Sequence, residues 1–219
     1  MSRKRRSAHS RLRRVSTMPT WTRKDAAVRR SEILEAAERL FNQSGFDRLS
    51  LATIADEAEL SKASLYLHFA DKEELFRALI TQVLDQPMAR VHAAAKSEAD
   101  LHAKLFEMLW TKIGYFYSIS RNSEHGQANI DSATTLAADI VANDRRTYAR
   151  LIAGVLQDAM DRDEIDPALA GFSPKSLAET LIAATHGLAR NDSLFVPERT
   201  HTQRVRGMVK AMIVGLSTK

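Results

Sequence analysis

The side chains best equipped for chemistry lie close together between Ser50 and Lys72. They are the hydroxyls of Ser50, Thr53, Ser61 and Ser64, the phenol of Tyr66, the imidazole of His68 and the ammonium groups of Lys62 and Lys72. These are hydrogen-bond donors and cations, suited to holding a polar or anionic partner. Bond-breaking chemistry lacks its signatures. The chain has no cysteine, which removes thiolate nucleophiles, thiolate zinc sites and disulfides, and suits a reducing cytoplasm. No glycine-rich phosphate loop, HExxH or GxSxG occurs. His186 and Asp192 sit at no spacing that specifies an acid–base or metal pair. No catalytic residue, cofactor or metal site is assigned, and an all-helical enzyme is the weaker rival reading.

The elements that must position these groups follow from composition and periodicity. Only 8 glycines and 5 prolines punctuate 219 residues, too few for an all-β fold, and 44% hydrophobic content can fill a core. The expectation is an all-α chain. Ile33, Ala36, Ala37, Leu40 and Phe41 form one helical stripe, in a helix running from Thr22 to Gly45. A short helix over 50–58, capped by Ser50, precedes the turn Glu59-Leu60-Ser61. A second covers 62–69, capped by Ser61, and Asp71 with Glu74 forms a capping-box pattern for the next. Two short helices joined by a tight turn behind a longer one is a helix-turn-helix layout. Further helices are expected near 72–96, broken or kinked at Pro87, then 99–120, 124–138, 141–162, 174–191 and 199–217.

The string Ile33-Leu34-Glu35-Ala36-Ala37-Glu38-Arg39-Leu40-Phe41, then Gly45-Phe46, Ser50 and Ile54-Ala55, resembles the start of the DNA-binding domain of the TetR family of bacterial transcriptional regulators. Ser61-Lys62-Ala63-Ser64-Leu65-Tyr66-Leu67-His68-Phe69 followed by Asp71-Lys72-Glu73-Glu74-Leu75 is similar to that family's most characteristic string. Two residues depart from it. Glu59 stands where glycine is usual, implying a turn without positive φ or a small strain, and Ala63 replaces a common glycine or proline. The resemblance implies that the second short helix enters the major groove of an operator. Lys62, Ala63, Ser64, Leu67 and His68 are then its exposed candidates, with Ala63 small enough to meet a thymine methyl. Tyr66, His68 and Lys72 are implied phosphate or sugar contacts, with Ser50 and Thr53 assisting. Leu65 and Phe69 belong to the core.

The domain boundaries expected are a basic arm over 1–21, a reading domain over 22–76 and a helical effector-binding and dimerising domain over 77–219. The resemblance implies a pocket, for which Phe106, Trp110, Ile113, Phe116, Tyr117 and Tyr148 are candidates, with His102, His125 and His186 as polar groups to watch. A mostly apolar small molecule that releases a repressor fits such a wall; a regulator that needs no effector is the alternative. Twofold operators call for a homodimer. The last two helices are expected to form its interface, through Val209, Met212, Ile213 and Leu216 and the small residues Ala178, Ala183, Ala184, Gly187, Gly207 and Ala211.

Charge is unevenly placed. Residues 1–20 carry Arg3, Lys4, Arg5, Arg6, Arg11, Arg13 and Arg14 and no acid, whereas the rest holds 25 basic and 27 acidic residues. The expectation is a disordered, solvated arm that could also attract phosphates, with an upstream start as the alternative, since Met18 lies directly before the first recognisable structure. No apolar run approaches the ~18 residues that span a bilayer, and no apolar segment follows the basic N-terminus as a secretory signal requires. A cytoplasmic protein without a membrane partner is expected.

Overall fold

Side-chain caps set where several helices begin. The hydroxyls of Ser50, Ser61 and Ser173 and the carboxylate of Asp71 each accept a hydrogen bond from the backbone amide three residues on, at 3.2, 3.1, 3.1 and 2.7 Å. Each satisfies an amide that the first helical turn leaves without a carbonyl. Glu74 completes the pattern one residue further out than expected, accepting from the amide of Ala70 at 2.7 Å.

The computed structural model describes residues 23–191 and 197–218. The basic arm therefore lies outside the described residues. Among these residues the chain forms α1 (Arg23–Ser44), α2 (Leu51–Glu57), α3 (Lys62–Tyr66), α4 (Lys72–Asp85), α5 (Met88–Ala95), α6 (Leu101–Asn122), α7 (Gly126–Leu136), α8 (Ala138–Asp161), α9 (Pro174–Asn191) and α10 (Glu198–Val214), with a 3-10 turn over Pro167–Ala170. The class is all-α. Pro87, which cannot donate to the preceding turn, divides the segment expected over 72–96 into α4 and α5. The second short helix stops at Tyr66, earlier than expected. Its last turn tightens, the amide of His68 reaching the carbonyl of Leu65 at 2.9 Å.

Two apolar clusters hold the chain. In the first, Ile33, Leu34 and Phe41 of α1 meet Ile54, Leu65, Phe69, Leu75 and Phe76. The rings of Phe41, Phe46 and Phe76 pack mutually with centroids 4.7 to 5.8 Å apart. Ala133 belongs to this cluster and Leu136 packs against it, so α7 joins the N-terminal helices. The second cluster is built from α5, α6, α8, α9 and α10 around Leu105, Leu109, Ile152, Leu156, Leu181 and Val209.

The terminal helix overturns one expectation. Val205, Val209, Ile213 and Leu216 are no more than 7% exposed and belong to this second core. Of the stripe expected to face another copy, Met212 alone is half-buried and the rest is taken up inside the chain. α10 ends at Val214 because the following residues turn back. The amide of Asp166 donates to the carbonyl of Leu216 at 2.8 Å, and Ile165 forms an antiparallel bridge with Ser217.

Candidate nucleic-acid interface

The turn that aims α3 is closed by backbone bonds. The amide of Leu60 donates to the carbonyl of Ala55 at 2.8 Å and that of Glu59 to Asp56 at 3.1 Å. This pair defines a Schellman ending, in which the residue after the cap adopts a left-handed conformation normally given to glycine. Glu59 has φ of 54°. Of the two alternatives raised by a glutamate here, the strained one is correct. The carboxylate is exposed at the start of the reading helix.

α3 is anchored on one side only. Leu65 and Phe69 are at most 1% exposed in the first core, which turns Lys62, Ala63, Tyr66 and Leu67 to the outside, all exposed. Tyr66 is 47% exposed and the Lys62 ammonium lies 6.0 Å from its ring centroid. Ser64 and His68 are half-buried at the edges of this face. The Ser64 hydroxyl lies 2.9 Å from that of Ser61, and the Ser50 hydroxyl 3.0 Å from that of Thr53. Each pair shares one hydrogen bond and keeps a second hydroxyl hydrogen for another acceptor.

Lys72 has a further task that the sequence did not reveal. Its ammonium donates to the carbonyls of Phe46 at 3.0 Å and Leu49 at 3.1 Å, and stands 4.1 Å from the Phe46 ring centroid. Two of its three hydrogens thus brace the link between α1 and α2. On α1, Arg30 lies over the ring of Phe69 at 4.7 Å and Arg29 pairs with Glu32 at 2.7 Å.

Behind this face, a seam of polar contacts ties the first helices to the rest, and sequence reasoning missed it. The guanidinium of Arg77 on α4 grips the Asp139 carboxylate with two bonds of 2.8 Å and donates to the carbonyl of Leu136 at 2.7 Å. That hydrogen bonding holds the Asp139 carboxyl down at about 2. Ser123 donates to the carbonyl of Asn42 and Asn129 to that of Phe41, both at 2.8 Å. Both carbonyls lie in the last turn of α1, and that of Phe41 also accepts the amide of Gly45 at 2.9 Å. No local pattern marks such pairs, because the partners lie 59 to 88 residues apart.

Of the residues proposed for a pocket, four are buried core and Trp110 packs against it, while Phe116 meets Tyr115 with ring centroids 5.5 Å apart. Phe106 and Tyr148 are each 2% exposed, and the phenol of Tyr148 donates to the carbonyl of Met108 at 3.1 Å. Burial pushes that phenol's pKa up, with the Asp144 charge adding to it. Ile113 and Tyr117 are also buried, and the ring of Tyr117 is tilted 57° against that of His201 with centroids 4.8 Å apart, while Trp110 and Phe116 are half-buried. Trp110 lies against Gly114, where an added Cβ would come within 3.2 Å of the indole. Next to this group the buried ammonium of Lys112 pairs with Asp144 at 2.6 Å. Of the three histidines, His102 lies 2.6 Å from its helix cap Asp100, His125 sits against Gly45, and His186 is half-buried on α9. Among the described residues no three metal-ligating side chains gather, and no helix is long and apolar enough to cross a membrane.

Comparison with known proteins fits this geometry. The family model described as "Bacterial regulatory proteins, tetR family" matches residues 33–79, the segment that holds α2, α3 and their supports. The uncharacterized HTH-type transcriptional regulator YfiR of Bacillus subtilis is 31% identical over 37% of this chain, which spans 40% of YfiR's length. The HTH-type transcriptional regulator UidR of Escherichia coli is 23% identical over 86% of this chain and 95% of its own. Among solved structures, SmeT, the repressor of the Stenotrophomonas maltophilia multidrug efflux pump SmeDEF, superposes with a TM-score of 0.61 at 21% identity. That match covers 85% of this chain and 88% of SmeT.

Proposed function

We propose that this chain, whose residues 33–79 match the model of the TetR family of bacterial transcriptional regulators, is a cytoplasmic homodimeric repressor of that family that a small, mostly apolar effector releases from its operator. One observation carries the DNA-binding part. α3 and the turn after it are buried along Leu65 and Phe69, and α3 offers Lys62, Ala63 and Tyr66 outward from the first core. Phosphate contacts position such a helix and base contacts specify the site. Tyr66, Lys72, Ser50, Thr53 and His68 take the first role in this reading, and Lys62, Ala63 and Ser64 the second. The test is a gel shift on DNA selected by the full-length protein. Tyr66→Ala should weaken binding about tenfold with an unchanged melting temperature, and Lys62→Ala should also relax base preference. Wild-type affinity and preference in both variants would overturn it. Lys72→Ala is a poorer probe, because it also loosens the link it braces.

Dimerisation is assigned to the outward faces of α9 and α10. Ala183, Gly187, Gly207 and Ala211 are exposed there and let helices approach closely. Release needs only that the effector prefer, by a few kcal/mol, a form whose half-site spacing does not fit DNA. The half-buried indole of Trp110 is the proposed reporter of that binding. The second reading, a regulator without effector, is favoured by the closed packing of Phe106 and Tyr148. A ligand screen followed by melting temperature separates the two.

A further inference from the structure

We propose that Ala63 and Leu67 form an apolar strip that reads thymine methyl groups; the proposal rests on the DNA-binding reading above. Leu67 is 85% exposed, more than any other large apolar side chain among the described residues. A lone exposed leucine means little. This one lies four residues after exposed Ala63, and its φ of −70° and ψ of −18° keep it on the helical path. Residues at i and i+4 share a helix face. Leu65 stands two residues from each, a little more than half a turn, so its burial turns both toward the partner. The polar side chains beside the strip are already occupied in part, Ser64 with Ser61 and Lys62 near the ring of Tyr66.

The chemistry of the groove selects the target. Of the four bases, thymine alone presents an apolar group on its major-groove edge, the C5 methyl. Two side chains four residues apart on a helix are separated by about 6 Å along its axis. They can therefore meet methyls on neighbouring base pairs, the Ala63 side at close approach and the Leu67 side by reach. Polar groups then fix the phosphates while the strip scores thymine content. A face built this way discriminates by exclusion of water from methyl groups, which deepens the base-reading role given to Ala63 alone.

The experiment removes the methyl and nothing else. Full-length protein selects its operator from random DNA, and each thymine of a half-site is then replaced singly by deoxyuridine at constant salt. Wild-type protein should lose about fourfold in affinity at one or more positions, the worth of one buried methyl. Leu67→Ala should bind more weakly to the thymine operator and be indifferent to uracil at one of those positions, whereas Leu67→Met should keep the sensitivity. So exposed a side chain leaves the fold intact, which an unchanged melting curve verifies. The proposal is overturned if no deoxyuridine substitution matters, or if Leu67→Ala responds to every substitution as wild type does. Leu67→Ala with full operator affinity also overturns it and points to a protein partner for the side chain. A wild-type protein that selects no sequence at all overturns both this and the DNA-binding reading, whereas a selected operator insensitive to its methyls overturns this alone.

Discussion

Glu59 has a left-handed backbone at the turn that aims the reading helix, with φ of 54°. For a residue with a Cβ this costs roughly 1 kcal/mol or more, and glycine there gives back part of the gain through a freer unfolded chain. Glu59→Gly should therefore raise the melting temperature by a few degrees, a net gain below about 1 kcal/mol. Glu59→Ala removes the same charge and keeps the strain, so its melting temperature should stay at or below that of wild type. Both should tighten binding to random DNA alike, because both delete a carboxylate beside a polyanion. Equal melting temperatures for the two variants would refute the strain. Asp163 repeats the device at the end of α8, with φ of 55° and the amide of Glu164 bonded to Ala159 at 3.0 Å.

At the level of elements, the seam joining α4 to α7 and α8 decides how firmly the reading helices sit on the body. Arg77→Ala leaves the Leu136 carbonyl without its donor and frees Asp139. Hydrogen exchange should then accelerate in α1 and α4 while α9 and α10 keep their protection. Uniform protection, or a uniform loss, would show that the seam holds nothing in particular. The pH response has a definite sign. The folded chain holds the Asp139 carboxyl at about 2, below the ordinary aspartate value near 4. Its contribution is therefore whole above about pH 4 and fades as pH falls toward 2, and exposure keeps it small. These elements also show what could be read in advance. Ser50, Ser61, Asp71 and Ser173 act on amides three residues away, and Gly45 ends α1 with φ of 76°, so these four starts and this one stop were legible from neighbours alone. The buried face of α10 was not. A stripe of Val205, Val209 and Ile213 looks the same whether it meets α6 of its own chain or another copy, and only the packing of α6, α9 and α10 decides. The grip of Arg77 on Asp139 and the second task of Lys72 were hidden for the same reason.

For the whole molecule, the face proposed to meet a second copy can be tested because two of its glycines are open. A Cβ added at Gly187 or Gly207 meets nothing within 4 Å in its own chain. Gly207→Glu should leave the helical fold intact, since glycine is the poorer helix former by roughly 1 kcal/mol. Across a close twofold contact it would place like charges together. Sedimentation should show wild-type dimers and Gly207→Glu monomers with equal helical content. Dimers in both would move the interface elsewhere.

The seam also governs whether the reading domain can be exchanged as a module. The carbonyls of Phe41 and Asn42 are held by Asn129 and Ser123, and Ala133 of α7 is packed among residues of α1 to α4. A chimera that keeps this body and receives a foreign head by splicing within α4 would leave α7 facing a surface it was not shaped for. Transplanting α7 together with the head, or choosing a donor with an arginine at the place of Arg77, preserves the joint. Retargeting such regulators to new promoters is thus a problem of matching three partly buried carbonyls and one guanidinium as well as the recognition helix.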